Sequence, residues 1–305
     1  MHVMKITPVV QLAQRTYSAY NYNSQKQLYL TQRDVFVKEK QIAFTSNPFA
    51  KKISDNLVDK ASRIILSKYS KFGLGEYLKL NNLEKLILSK KSAGFQDYAY
   101  DATLDGALLL KKYFDKKYGI GKYVFISIGR SLETIKEAMG YMGANTCILP
   151  ISQLHNKRVD ISDITCQKGF GEYLKYLEKT GIDAKTINNS DKHFIFADYC
   201  SSGATLETVK NLLTSPQVGI DETKAEFIDF MELYKKLWEK VRNKSSLTIP
   251  TFMDMHLNCE YFKYFSSTDA LPYYALEKVN EAVNMRAGFE AKLFNFRLIK
   301  KIIRD

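Results

Sequence analysis

The sequence predicts an α/β fold built on a parallel sheet with helices covering its faces. Three observations predict it. Short apolar runs at 123–128, 146–150 and 193–198 alternate with helical periods at 132–142, 170–180 and 205–213. Two of those runs, Tyr123–Ile128 and His193–Asp198, pass through a small-residue loop straight into a helix start. The chain of 305 residues is 45% hydrophobic and 13% aromatic, enough to build a well-formed core.

The elements follow in order. Leu28-Tyr29-Leu30 and Val35-Phe36-Val37, separated by Thr31-Gln32-Arg33-Asp34, predict two short strands or a hairpin. From Pro48 to Gly94 the period becomes helical, with Ile53, Leu57, Ala61, Ile64 and Ile65 in one segment. Leu78, Leu80, Leu83, Leu86 and Ile87 mark another, and Gly73-Leu74-Gly75 breaks the two apart. Residues 1–98 therefore read as a mostly helical region or cap. Asp101 is positioned to N-cap a helix that buries Leu104, Leu108, Leu109 and Phe114 and stops at Gly119–Gly121.

The alternating core occupies 99–265 and includes a possible strand near 183–187. His155-Asn156-Lys157-Arg158-Val159-Asp160 in its middle is either a basic flap over an anionic ligand or an ordinary connection. Lys224–Lys244 predicts one amphipathic helix carrying Trp238, usable as core or as a partner face. Thr251–Phe265 alternates, with Asp254, His256, Asn258 and Glu260 on one side. Asp254 and His256 could line a pocket as an acid/base pair, or could be the polar face of an edge strand. Residues 266–305 predict a helical extension whose last turns are basic through Arg297, Lys300, Lys301 and Arg304.

The stretch from His193 to Thr208 carries the chemistry. An apolar strand ends on Asp198, and Ser201-Ser202-Gly203-Ala204-Thr205 then opens a helix. Glycine lets backbone N–H groups approach an anion, while hydroxyls and the helix N-terminus add donors. Earlier, Tyr123–Ile128 ends in Gly129-Arg130-Ser131 before the helical pattern from Leu132. Arg130 offers a fixed fork of donors suited to phosphate oxygens.

The later stretch resembles the phosphoribosyl diphosphate motif of type I phosphoribosyltransferases: apolar strand, two acids, small residues, then Thr-Gly-x-Thr. Ser202-Gly203-Ala204-Thr205 takes the place of the last four, Asp198 that of the second acid, and Ala197 stands where the first acid would be. The resemblance implies a phosphoribosyltransferase-like α/β core binding phosphoribosyl diphosphate or a ribose-phosphate nucleotide. Ser201 to Thr205 would hold the 5-phosphate, Asp198 the ribose hydroxyls, and Gly129, Arg130 and Ser131 the diphosphate. It also implies Mg²⁺ between diphosphate and ribose, reached only indirectly by Asp198. Gly129 and Gly203 lie 74 residues apart, as the family's order of loops requires. Ala197 leaves open two outcomes, a transferase releasing diphosphate or a catalytically degenerate nucleotide sensor or interaction module. The turn around Ser131 and Thr134 is also similar to the serine-rich phosphosugar loop of sugar-isomerase domains.

Charge and cysteine usage bound the partners. A net charge of +12 attracts anions, whether nucleotides, nucleic acid or acidic headgroups, but no nucleic-acid motif accompanies it. Cysteines 147, 166, 200 and 259 form no Cys-x-x-Cys pair, which argues against a zinc site or a disulfide framework and for a reducing, cytoplasmic setting. No apolar run approaches the roughly 20 residues of a membrane span. The helical segments at either side of the core are the expected surfaces for a protein partner.

Overall fold

The computed structural model describes residues 48–93, 97–152, 154, 159–199, 203–242, 271–284 and 286–304. Strands β1 (Tyr123–Ile128), β2 (Asn145–Leu149), β4 (His193–Asp198) and β5 (Ala225–Asp229) form one parallel sheet in the order β2-β1-β4-β5. Two short strands, β3 (Ile151–Ser152) and β6 (Leu271–Pro272), make a separate parallel pair. The register pairs Ser127 with Ile148 on one side of β1 and with Ala197 on the other, and Asp198 with Asp229 between β4 and β5.

The central strands are apolar apart from Ser127 and the terminal His193 and Asp198, because both faces are covered, and their side chains alternate between two cores. Tyr123, Phe125, Ile195, Ala197 and Ile228 join one cluster with Phe114, Ile135, Met139 and Tyr234. These partners come from helices α4 (Asp97–Tyr118), α5 (Glu133–Tyr141) and α10 (Phe230–Arg242). Ile126, Ile128, Phe194 and Phe196 join the other, with Tyr173, Leu177, Val209 and Leu213. Those side chains belong to α7 (Phe170–Thr180) and α9 (Ala204–Thr214), and the short α6 (Ile161–Thr165) adds Ile164.

The N-terminal helices are α1 (Pro48–Ser67), α2 (Leu74–Lys79) and α3 (Asn82–Ser92). Asn81 caps α3, its Oδ1 accepting from the Glu84 N–H at 2.9 Å while Glu84 Oε2 accepts from the Asn81 N–H at 3.1 Å. The apolar period that marks these helices in the sequence does not mark their buried side. Ile65, Leu66, Leu80 and Leu88 are buried, whereas Leu57, Ile64, Leu78, Leu83 and Leu86 are all more than half exposed.

Three expectations are corrected. The segment 224–244 is not one helix: Ala225–Asp229 is strand β5, Phe227 stacks on Phe196 of β4 at 5.1 Å, and Asp229 starts α10 by accepting from Met231 and Glu232 N–H at 2.8 and 3.3 Å. The segment near 183–187 is a short helix, α8 (Ala184–Asn188), because Asp183 caps it through the Thr186 N–H at 2.9 Å. Asp101 lies inside α4, which begins one turn earlier. There Tyr100 packs into the core and its hydroxyl donates to the Arg297 carbonyl at 2.8 Å. The expected strands at 28–37 and the alternating segment 251–265 lie outside the described residues.

The last helix, α12 (Phe289–Arg304), follows a 3₁₀ turn (Tyr273–Lys278) and α11 (Val279–Asn284). It serves two cores at once. Phe294, Leu298 and Ile302, spaced by four, enter the sheet cluster; Leu293, Phe296 and Ile299 pack with Leu66 of α1, Phe72 of the connection to α2, and Leu88 of α3. Lys292, 4% exposed, donates through Nζ to the carbonyls of Tyr69 at 2.6 Å and Leu66 at 3.3 Å, at the carboxyl end of α1 where the helix ladder stops. Burial pushes its ammonium below the ordinary lysine range. Lys292→Met should lower unfolding free energy by about 2 kcal/mol, read by urea denaturation, because two buried carbonyls lose a charged donor.

Candidate functional site

The sheet order fixes where a ligand can sit. From β1 the chain moves to β2 on one side and later returns to place β4 on the other. The connections leaving β1 and β4 therefore diverge and open a crevice at the carboxyl ends of these two strands. Gly129, Arg130 and Ser131 of the first sequence-predicted loop and Gly203, Ala204 and Thr205 of the second fall there.

After β1, Gly129 adopts φ 60°, a left-handed conformation that glycine enters without a Cβ penalty, and its N–H donates to the Leu149 carbonyl at 2.8 Å. The turn closes with the Glu133 N–H donating to the Arg130 carbonyl at 3.3 Å, and α5 begins. After β4, Gly203 stands at φ 75° as the residue before α9, and its carbonyl receives the Glu207 N–H at 3.0 Å. A Cβ on Gly203 would meet nothing within 4 Å among the described residues. The glycine is therefore required by its backbone angle, and the space beside it is open.

Asp198 is 7% exposed at the tip of β4, and its Oδ1 accepts from the Tyr199 N–H at 2.7 Å. In register beside it is Asp229, whose carboxylate caps α10. Ala197, 1% exposed, faces the opposite way into the apolar layer with Ile135, Ile228 and Phe230. Ser127, next to it in register, and Thr134, the second residue of α5, flank the Gly129–Leu132 turn. Both are buried, and their hydroxyls have no hydrogen-bond partner among the described residues. Buried hydroxyls of that kind are uncommon in folded proteins.

The first turns of α5 carry a dense set of buried charges. Lys136 Nζ contacts Glu137 Oε1 at 2.6 Å, and Glu133 is 1% exposed. Burial alone would depress the Lys136 ammonium, but Glu137 and Glu133 outweigh it and hold the group above the ordinary lysine range. Desolvation likewise pushes the Glu137 carboxyl up, and Lys136 pulls it back below the usual carboxylate range. Lys71, from the loop between α1 and α2, is lowered by burial against the opposing pull of Glu133. The N-terminal helices thus enter the electrostatics of the helix that follows the first turn.

Of the predicted site residues, Gly129, Arg130, Ser131, Asp198, Gly203, Ala204 and Thr205 are gathered at one end of two adjacent strands. Arg130, Ser131, Ala204 and Thr205 are half-buried there. Ser201 and Ser202, like Cys200, lie outside the described residues, as do Asp254, His256 and the basic segment 155–158. Sequence reasoning missed Ser127, Glu133, Lys71 and Asp229. Asp229 had a legible signal, since Asp-x-x-Glu over 229–232 is a helix-start signature.

Among the described residues no group of three or more His, Cys, Asp or Glu side chains could hold a metal, and no helix is long and apolar enough to cross a membrane. No protein-family model, no curated protein and no solved structure matches this chain.

Proposed function

We propose that the crevice between β1 and β4 binds phosphoribosyl diphosphate or a ribose-phosphate nucleotide, as the resemblance of its two loops to phosphoribosyltransferases suggests. One observation supports this most: two left-handed glycines, Gly129 and Gly203, turn two neighbouring parallel strands into helices at the point where the strand order reverses. Backbone donors at two such turns suit two phosphate groups on one ligand. In this reading the Gly203–Thr205 turn takes the 5-phosphate, Gly129–Ser131 the diphosphate, and Asp198 the ribose hydroxyls.

Transfer would break the bond from ribose C1 to the diphosphate oxygen and form one from C1 to an acceptor, the diphosphate leaving with the bonding electrons. The work asked of the protein is positioning and charge stabilisation, with Arg130 facing the leaving group. Asp198 is the acid that would face Mg²⁺ carried on the ligand's own oxygens, where the ion would neutralise leaving-group charge.

A second reading keeps the ligand and drops the chemistry: a nucleotide sensor or interaction module. Ala197 favours it, because the side chain at the first-acid position is buried in apolar packing and turned away from any ribose. Calorimetry of phosphoribosyl diphosphate with Mg²⁺ tests the shared claim. Gly203→Asp, which brings a like charge into the open space beside the turn and strains φ, should weaken binding at least about tenfold. Gly203→Ala isolates the strain. No binding by the unaltered chain discards both readings, and binding without diphosphate release on an acceptor screen selects the second.

A further inference from the structure

Of the large hydrophobic residues exposed among the described residues, five fall within α1–α3: Leu57, Ile64, Leu78, Leu83 and Leu86 at 62%, 65%, 58%, 65% and 63%. They are arranged rather than scattered. Asp55 and Asp59 in the middle of α1 pair with Lys90 and Lys91 at the end of α3, while Lys68, just past α1, pairs with Glu84 at the start of α3. The two helices therefore lie antiparallel, side by side. Their inner residues Ile65, Leu66 and Leu88 meet α12.

Leu57 and Ile64, seven apart, share the outward face of α1 with Lys60, and Leu83 and Leu86 share that of α3 with Lys90. These residues are exposed, whereas Ile65, Leu66 and Leu88 of the same two helices are buried with residues of α12. Exposed aliphatic residues grouped in this way mark an interaction surface.

Charge points to an anionic occupant. Residues 48–93 hold ten Lys or Arg against four Asp or Glu, half of the chain's net +12 in less than a sixth of its length. Residues 1–47 are also basic, with six Lys or Arg against two Asp or Glu, so like charge disfavours them as the cover. Nucleic acid would match the charge but gains nothing from Leu and Ile, which offer no stacking surface. A layer of short helices presenting aliphatic side chains among lysines suits an anionic bilayer surface, where it would lie in the interface plane.

We propose that the outward face of α1 and α3 docks on anionic membranes, with Leu57, Ile64, Leu83 and Leu86 entering the boundary between headgroups and acyl chains and the lysines meeting lipid phosphates. The proposal is independent of the crevice.

Cosedimentation of the full chain with vesicles tests it. Partition onto phosphatidylcholine vesicles containing about one-third phosphatidylserine should exceed that onto pure phosphatidylcholine at least about tenfold, and fall as salt rises to about 0.5 M. Leu57→Ser, Ile64→Ser and Leu86→Ser together, with folding checked by circular dichroism, should reduce it about tenfold. Leu86→Trp gives a second readout, a blue shift of emission with anionic vesicles. Absence of partition, partition indifferent to the serine replacements, an unshifted Leu86→Trp, or a dimer that the serine replacements dissolve would each overturn the proposal.

Discussion

Ala197→Asp is expected to destabilise the protein by roughly 3–5 kcal/mol, although it restores the acid that the phosphoribosyl diphosphate motif carries at that place. Ala197 is 1% exposed and sits in the apolar layer with Ile135, Ile228 and Phe230, and the hydroxyl of Ser127 beside it in register is one weak donor for a whole carboxylate. An unpaired carboxylate there would hold its proton, so its folded-state pKa would rise above the unfolded value of about 3.9. The unfolded chain then loses its proton first. The penalty should accordingly be smallest near pH 4 and grow as the pH rises. Urea denaturation across that range measures it, and a destabilisation below about 1 kcal/mol would mean the side chain escapes to the crevice. That escape is also the only circumstance in which the replacement could confer transfer activity.

Gly169→Ala should cost about 3 kcal/mol or more. Gly169 has φ −85°, which any residue adopts, so strain is not the reason. A Cβ there would lie 2.0 Å from the backbone nitrogen of Glu277 and 2.6 Å from the carbonyl carbon of Leu276, and backbone cannot swing aside as a long side chain can. The 3₁₀ turn 273–278 would have to lift from α7, exposing Leu276 and Val279, both fully buried. The expected results are a lowered melting temperature and faster proteolysis within 271–284. Gly171→Ala, two residues away with nothing within 4 Å of its Cβ, serves as the control and should leave stability within about 0.5 kcal/mol.

What could be read in advance was local. β1 and β4 were legible because an apolar run, a glycine turn and a helical period follow in immediate succession, and all three signals lie within a few residues of each other. β5 was not: Phe227 and Ile228 extend the apolar spacing of the helix behind them, and no turn residue separates the two. Asp229 alone marks the change. Burial was the other gap. Glu133 reads as an ordinary acid in a first turn and Leu57 as a core residue, yet packing reverses both, leaving Glu133 1% exposed and Leu57 62% exposed. Which side of an amphipathic helix faces inward depends on its neighbour, and for α1 and α3 that neighbour is α12, more than 200 residues further along the chain.

The double allegiance of α12 also governs how the molecule can be made. Hydrogen bonds such as Tyr100 to Arg297 and Lys292 to Leu66 span 197 and 226 residues. Neither the sheet's covered face nor the N-terminal helical cluster can close while the ribosome is still adding the segment that carries α12. Until then both halves display apolar surface to the cell, and folding must finish after synthesis of that helix rather than domain by domain along the nascent chain. Once closed, its two cores share one element, so they open together.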